Sequence, residues 1–345
     1  MKHLIQLDGP LPNLALMRLS SHFKANGEEV HLHRAQVRNT NAGYVFDGPK
    51  PDLFSGAGAV YGSSIFEKSA PLMAQVEREW GPVHWGGTGV RVESSLSEVD
   101  PSVDWEGVTP DYSTYPLFKP SLGFTQRGCR LKCGFCVVPK KEGSPRAVRT
   151  IAELWRGEPH QKKLHLLDND FFGQPKEEWR ARLHEIRSGG FRVCFSQGIN
   201  IRLVDEESAR ELANLEYRDD SFQRRQLYTA WDNFKERGVF TKGVKTLEEA
   251  GIPPRHLMVY MLIGYRRESW AEIHARFDQL VALGCKPYPM VFEERKHPQL
   301  KALQRWTVQR TYLHIPWATY CASGEDRRLA VMSEYPDEGQ PEVAP

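Results

Sequence analysis

The chain has 345 residues, 40% of them hydrophobic and 26% charged, with nine tryptophans and six cysteines. That is too long for one typical compact domain and too apolar for a disordered or collagen-like chain, and no apolar run reaches membrane-spanning length, so two globular domains are expected. The formal net charge of +2 conceals an asymmetry: residues 1–115 hold 9 Lys+Arg against 14 Asp+Glu, a net of −5, and the excess of base lies in residues 116–323. A basic second half is read either as a face for an anionic substrate or nucleic acid or as an ordinary solvated mixed-charge surface.

In chain order, Met1–Asp8 has one basic residue and an apolar run broken by Gln6, which makes a poor secretory signal and a good first strand. A cytoplasmic location follows, with the cysteines kept as thiols. Leu14–Ala25 places Leu14, Leu16, Met17, Leu19 and Phe23 at helical spacing before Gly27, a natural helix stop. Val30–His33 reads as a strand. His31 and His33 share one face of it, either as a metal pair or, the better reading, as a solvated edge. Asp52–Ser55 is expected as a short strand ending in the turn Gly56–Ala59, Phe66–Trp80 as a helix, and Pro82–Trp85 as a strand running into Gly86-Gly87-Thr88-Gly89. This alternation predicts a parallel sheet covered by helices. Residues 100–120, rich in Pro, Asp, Ser and Tyr, lose all periodicity and read as a linker.

A second alternation starts at Ser121–Thr125. Strands are expected at Leu164–Leu167, Arg192–Ser196, Gln226–Ala230, Leu257–Ile263 and Pro287–Phe292, giving about six βα units. The helices between them are placed at Thr150 onward, where Thr150 and Glu153 form a capping box, then Pro175–Ser188, Glu206–Asn214, Thr241–Ala250 and Trp270–Leu283. Residues 324–345 are polar, acidic and proline-rich, and read as a disordered tail.

The chemistry concentrates in 129-CRLKCGFC-136. Cys129, Cys133 and Cys136 follow a strand, where parallel α/β folds place their active loops, and no fourth cysteine stands nearby. Three thiolates can hold three irons of a [4Fe–4S] cube and leave the fourth iron open to a small molecule. The alternative is a zinc site completed by His165 or Cys194, in a zinc-stabilised nucleic-acid-binding protein. Cys194, within an apolar strand, is better read as a small buried hydrophobe, and Cys285 and Cys321 as thiols with a minor claim to hydrogen-atom donation.

The spacing C-x3-C-x2-C with Phe135 before the last cysteine resembles the signature of the radical S-adenosylmethionine (radical SAM) superfamily. The resemblance implies a partial (β/α)6 barrel over residues 116–323. It also implies a [4Fe–4S] cluster on Cys129, Cys133 and Cys136, S-adenosylmethionine on the open iron, a flavodoxin- or ferredoxin-type electron donor, and formation of a 5′-deoxyadenosyl radical. By the same resemblance Asp168, Asn169 and Asp170 stand where the methionyl amino group is held, Gln197 and Arg202 where polar residues approach the cofactor, and Ile263-Gly264 where adenine packs. Asp168 and Asp170 are alternatively turn or capping residues, and Gln197 and Arg202 structural hydrogen-bond or ion-pair partners. Residues 1–115, with Gly86–Gly89, look like the Rossmann-like, doubly wound cobalamin-binding domain of many such enzymes, in intact or degenerate form. The cobalt-ligating D-x-H-x-x-G motif is absent. With cobalamin the expected reaction is methyl transfer to an unreactive carbon. No substrate signature is present, although Tyr228, Trp231, Tyr265, Arg266 and Arg267 stand at strand ends where a pocket is lined.

Overall fold

A computed structural model describes residues 1–37, 44–46, 59–265, 268–292 and 297–323. The chain is mixed α/β with parallel sheets and divides into two compact units, residues 1–120 with 136–144, and residues 121–135 with 145 onward.

The first unit runs β1 (Lys2–Gln6), α1 (Leu14–Ala25), β2 (Val30–Val37), β3 (Tyr44–Phe46), β4 (Val60–Ser63), α2 (Ala70–Trp80) and β5 (Val83–Gly86). Its sheet has the order β3-β2-β1-β4-β5, parallel except for β3, which pairs antiparallel with β2. Helix α1 has the expected bounds because Asn13 caps it, its side chain accepting from the Leu16 N–H at 3.1 Å, and Gly27 follows at φ +76°. Strand β4 begins at Val60; the strand expected at Asp52–Ser55 and the turn expected from Gly56 lie outside the described residues.

Two expectations need correction here. The segment read as a linker is packed: Trp105 and Tyr115 are buried, Arg18 donates to both Glu106 oxygens at 3.2 and 3.1 Å, and the Tyr115 hydroxyl donates to Gln6 at 2.8 Å. Irregular backbone hid these anchors, whose ties to Arg18 and Gln6 run across 88 and 109 residues. The histidine face is not a solvated edge either. His33 is buried, its Nε2 3.0 Å from Nδ1 of His3 on the neighbouring strand, with the Trp80 ring edge-on at 4.8 Å. Burial, then the nearby His31, lowers the pKa of His3. Only His31 stays exposed, beside Glu29 at 3.0 Å.

The second unit contains β6 (Ser121–Gly123) and β7 (Gln126–Arg127). After α3 (Val138–Glu142), which packs with the first unit, it resumes with β8 (Arg146–Ala147), α4 (Ile151–Leu154), β9 (Lys163–Leu166), α5 (Lys176–Ser188), β10 (Arg192–Phe195), α6 (Glu206–Ala213) and β11 (Glu216–Tyr217). It continues with β12 (Leu227–Ala230), α7 (Arg237–Glu249), β13 (Leu257–Ile263), α8 (Trp270–Ala282), β14 (Lys286–Val291), α9 (Pro298–Val308) and α10 (Trp317–Ser323). The parallel sheets β11-β10-β9-β6 and β12-β13-β14 hold all six expected strands, and the Ile199 N–H donating to the Tyr228 carbonyl at 2.7 Å links the β10 loop to β12.

Alternation along these strands divides their side chains. Leu164, Leu166, Val193, Phe195, Val259, Met261 and Ile263 enter a core with Trp179, Leu183, Phe240 and Phe277 from the helices. Each such buried aliphatic contributes roughly 1.5–3 kcal/mol. Cys194 and Tyr228 join a separate cluster with Phe222. Helices α9 and α10 lie beyond the last expected strand and were not foreseen. Helix α5 starts one residue after Pro175, which serves as its N-cap position rather than lying in its first turn.

Candidate cysteine-loop site

The cysteine loop leaves β6 at its C-terminal end and is held by two carboxylates at the end of neighbouring β9. Asp168 is fully buried. Its Oδ1 accepts from the Thr125 N–H at 2.6 Å and the Gln126 N–H at 3.0 Å, and Oδ2 accepts from the Thr125 hydroxyl. Burial outweighs these bonds and pushes its pKa up to about 6. Asp170, also fully buried, accepts through Oδ2 from the Arg130 Nε at 3.0 Å, and Arg130 donates onward to the Phe172 carbonyl. Gln126 completes the frame: its Oε1 accepts the Asp170 N–H at 3.0 Å, and its Nε2 donates to the Arg127 and Gly128 carbonyls at 2.6 and 2.7 Å. The second Asp170 oxygen, Oδ1, is buried without a hydrogen-bond partner, an arrangement costly enough to mark a site able to accept a donor.

Asp168 therefore does not point a free carboxylate at a ligand; it fastens the start of the loop across more than 40 residues rather than capping or turning the chain before Pro175. Thr125, Gln126 and Arg130 escaped the sequence reading. The only signal for them was their position around Cys129, because their partners lie about 40 residues away. Asn169, between the two aspartates, is half-buried and its amide makes no hydrogen bond among the described residues.

All three loop cysteines are half-buried, and none of the six cysteines forms a disulfide. Cys129 accepts weakly from the Leu131 N–H at 3.4 Å. Cys129 and Cys133 belong to the second unit, whereas Cys136 opens the segment that packs with the first. Among the described residues no three Cys, His, Asp or Glu side chains are gathered closely enough to hold one metal ion. Thiolates on a cubane each bind a different iron and stand further apart than ligands of a single ion. In donor chemistry the set fits a cluster: three uncrosslinked, solvent-reachable thiols on eight residues of framed backbone.

Phe135 packs edge-on against Tyr265 at 5.2 Å, and Tyr265 against Phe292 at 4.9 Å, so the loop meets the chain just after β13 and β14. Gly264 makes that turn at φ +81°. The Ile263 side chain is fully buried in the helix-facing core and Gly264 is buried as well, which leaves the half-buried Tyr265 as the accessible part of this element. Gln197 is exposed at the end of β10, with no hydrogen bond among the described residues. Arg202 is committed elsewhere: it donates to Glu236 at 2.7 Å and to Asn200 at 3.1 Å, the ion-pair alternative.

A second charged group lies beyond β12 and β13. Arg276 is fully buried, donating to the Trp231 and Leu262 carbonyls at 2.5 and 2.8 Å, with Glu268 at 2.5 Å. Burial pushes Glu268 up to about 7 against the pull of Arg276. His165 and Cys194, the candidates for completing a zinc site, face each other in register on β9 and β10; both are buried, and burial lowers His165 to about 4 and raises Cys194. Arg266 and Arg267 lie outside the described residues.

In the first unit the glycine turn after β5 offers no cradle. A Cβ at Gly87 would stand 2.2 Å from the Ser64 carbonyl oxygen, and one at Gly89 2.6 Å from the Phe66 backbone, so both glycines serve packing within the chain. Beside them, Asp8 accepts from the Ile65 and Phe66 N–H groups and from Ser64 and Ser69. The chain matches no protein-family model, no curated protein and no solved structure.

Proposed function

We propose that this chain is a radical SAM enzyme, with its second unit a partial (β/α)6 barrel and its first a Rossmann-like sheet. The observation that carries the reading is the loop itself: three half-exposed thiols after the first of seven parallel strands, on backbone fixed by two buried carboxylates. Cys129, Cys133 and Cys136 would hold the cluster, which when bound supplies the electron for reductive cleavage of the SAM sulfonium. Asp168 and Asp170 hold the loop in place for it, and pre-set geometry is what a positioned cofactor requires of its protein. The free amides of Asn169 and Gln197 and the unpartnered Asp170 oxygen are the polar groups left for the cofactor's amino and carboxylate ends. Phe135 and Tyr265 offer it an apolar wall. No step is routed through cobalamin, because the glycine turn is filled by the chain's own backbone. The product is a modified unreactive carbon of a substrate whose recognition the basic second half favours as anionic, with electrons drawn from a flavodoxin- or ferredoxin-type donor.

The test is anaerobic reconstitution of the full chain with iron and sulfide, followed by reductant and SAM. Brown protein with four irons per chain, and 5′-deoxyadenosine released on reduction, is the expected result. A colourless chain that retains zinc but no sulfide, or a cluster that leaves SAM intact, would overturn the reading.

A further inference from the structure

At the opposite end of β9 and β10 from the cysteine loop lies a cavity of about 400 Å³, lined by Gln161, Lys162, Lys163, Gly190 and Arg192. Lys163 and Arg192 are the first residues of their strands and stand in register, so the two cations are side by side on adjacent strands. Lys162 immediately precedes Lys163, and the Arg192 N–H donates to the Lys162 carbonyl at 2.9 Å, which fixes the rim. None of the three cations has a carboxylate partner among the described residues. The nearest acid by register, Glu216 beside Arg192, is taken by Arg218 at 2.5 Å and Arg225 at 3.0 Å. Aromatic faces hold the two lysines instead: Lys162 lies over Trp155 at 5.7 Å and Phe191 at 5.8 Å, and Lys163 over Phe222 at 5.6 Å.

Two cations side by side on adjacent strands, Lys163 and Arg192, repel, and folding ordinarily disperses such a pair or supplies an acid between them. Here strand register and aromatic contacts keep them together around a concavity. We infer that this cavity is a binding site for a phosphate group, carried either by a small phosphorylated molecule or by a nucleic-acid strand. Arg192 contributes a planar fork suited to two phosphate oxygens, the lysines contribute point charges, and Gln161 an amide donor. The volume exceeds that of one phosphate and leaves room for the group that carries it. Because the strands between are four residues long, the site stands over about 13 Å from the cysteine loop, so it docks a ligand without touching the proposed chemistry. It therefore stands or falls independently of the cluster.

The probes are pyrophosphate and a single-stranded decanucleotide, titrated against the full chain, with Trp155 fluorescence read as the difference between wild type and Trp155→Phe. Saturable binding of either probe is expected, weakened about tenfold or more in Lys163→Gln and in Arg192→Gln. Both variants should keep the wild-type melting temperature, since Arg192 is exposed and Lys163 half-exposed. Competition assigns the source. Pyrophosphate binding that the oligonucleotide does not displace marks a small ligand; oligonucleotide binding with a log–log salt slope near −2, the value for about three phosphates on a single strand, marks nucleic acid. The inference is overturned if neither probe binds at millimolar concentration, or if both variants bind as the wild type does.

Discussion

Two loops in this molecule follow the C-terminal end of a parallel strand and are rich in glycine, and they differ in what they leave uncommitted. The turn after β5 consumes its glycines: Gly87 and Gly89 lie against Ser64 and Phe66 with no room for a Cβ. The loop after β6 is fastened from outside, by Asp168 and Asp170 just beyond β9, and none of its thiols is crosslinked in a disulfide. A strand-end loop becomes a candidate site when the side chains that hold it differ from those that would do chemistry. Glycine content does not separate the two cases.

The sharpest way to break the comparison is to remove a thiol. Cys129→Ala, Cys133→Ala or Cys136→Ala should each abolish stable cluster retention and lower 5′-deoxyadenosine formation by at least about 10²-fold, measured by iron analysis and chromatography. None should cost the fold, because all three cysteines are only half-buried. If these single substitutions left iron binding unchanged, the two loops would be equated.

Next in size is the loop's tie to β9. Arg130→Met leaves the fully buried Asp170 carboxylate without its cation, a loss of about 3–5 kcal/mol, read by urea unfolding. Arg202→Met, which breaks a pair roughly a third exposed on both sides, should cost less than about 1 kcal/mol. Equal effects would mean that the loop is not specifically anchored.

The Asp168 anchor has a pH signature. Its pKa is raised from 3.8 to about 6 by burial, so the folded chain binds the extra proton between those values. Stability from this group is present below about pH 4 and is lost as pH rises through about 6, by up to about 3 kcal/mol in total. Asp168→Asn cannot titrate, so the stability difference between wild type and variant should move in the variant's favour by that amount from pH 4 to pH 7. A constant difference would show that the carboxyl is not held up by burial.

How much of this was legible follows from the range over which each feature is determined. Six of the seven parallel strands of the second unit, all but the two-residue β11, were readable because their apolar runs are local and bounded by glycine, proline or capping residues, as at Thr150 and Gly189. Cys129, Cys133 and Cys136 were readable because their spacing is itself local. Asp168 was singled out as a cofactor contact, and nothing within ten residues reveals that its acceptors are filled from Thr125 and Gln126. Trp105 and Tyr115, buried in a segment without periodicity, and His33, paired with His3 across two strands, were missed for the same reason. Pairings across 30 to 100 residues leave no pattern in either stretch alone.

The smallest expected effect tests the other loop. Gly87 sits at φ +99° with the Ser64 carbonyl oxygen where a Cβ would go, whereas Gly86 has nothing within 4 Å and no positive φ. Gly87→Ala should therefore destabilise by at least about 2 kcal/mol, combining backbone strain with a clash against main chain that cannot swing aside. Gly86→Ala, in open space, should stay within about 1 kcal/mol of wild type. Thermal or urea unfolding of the two single variants decides it. If Gly87→Ala were tolerated as well as Gly86→Ala, the turn would have slack to open, and its glycines would again be available for close approach by a ligand, as their spacing first implied.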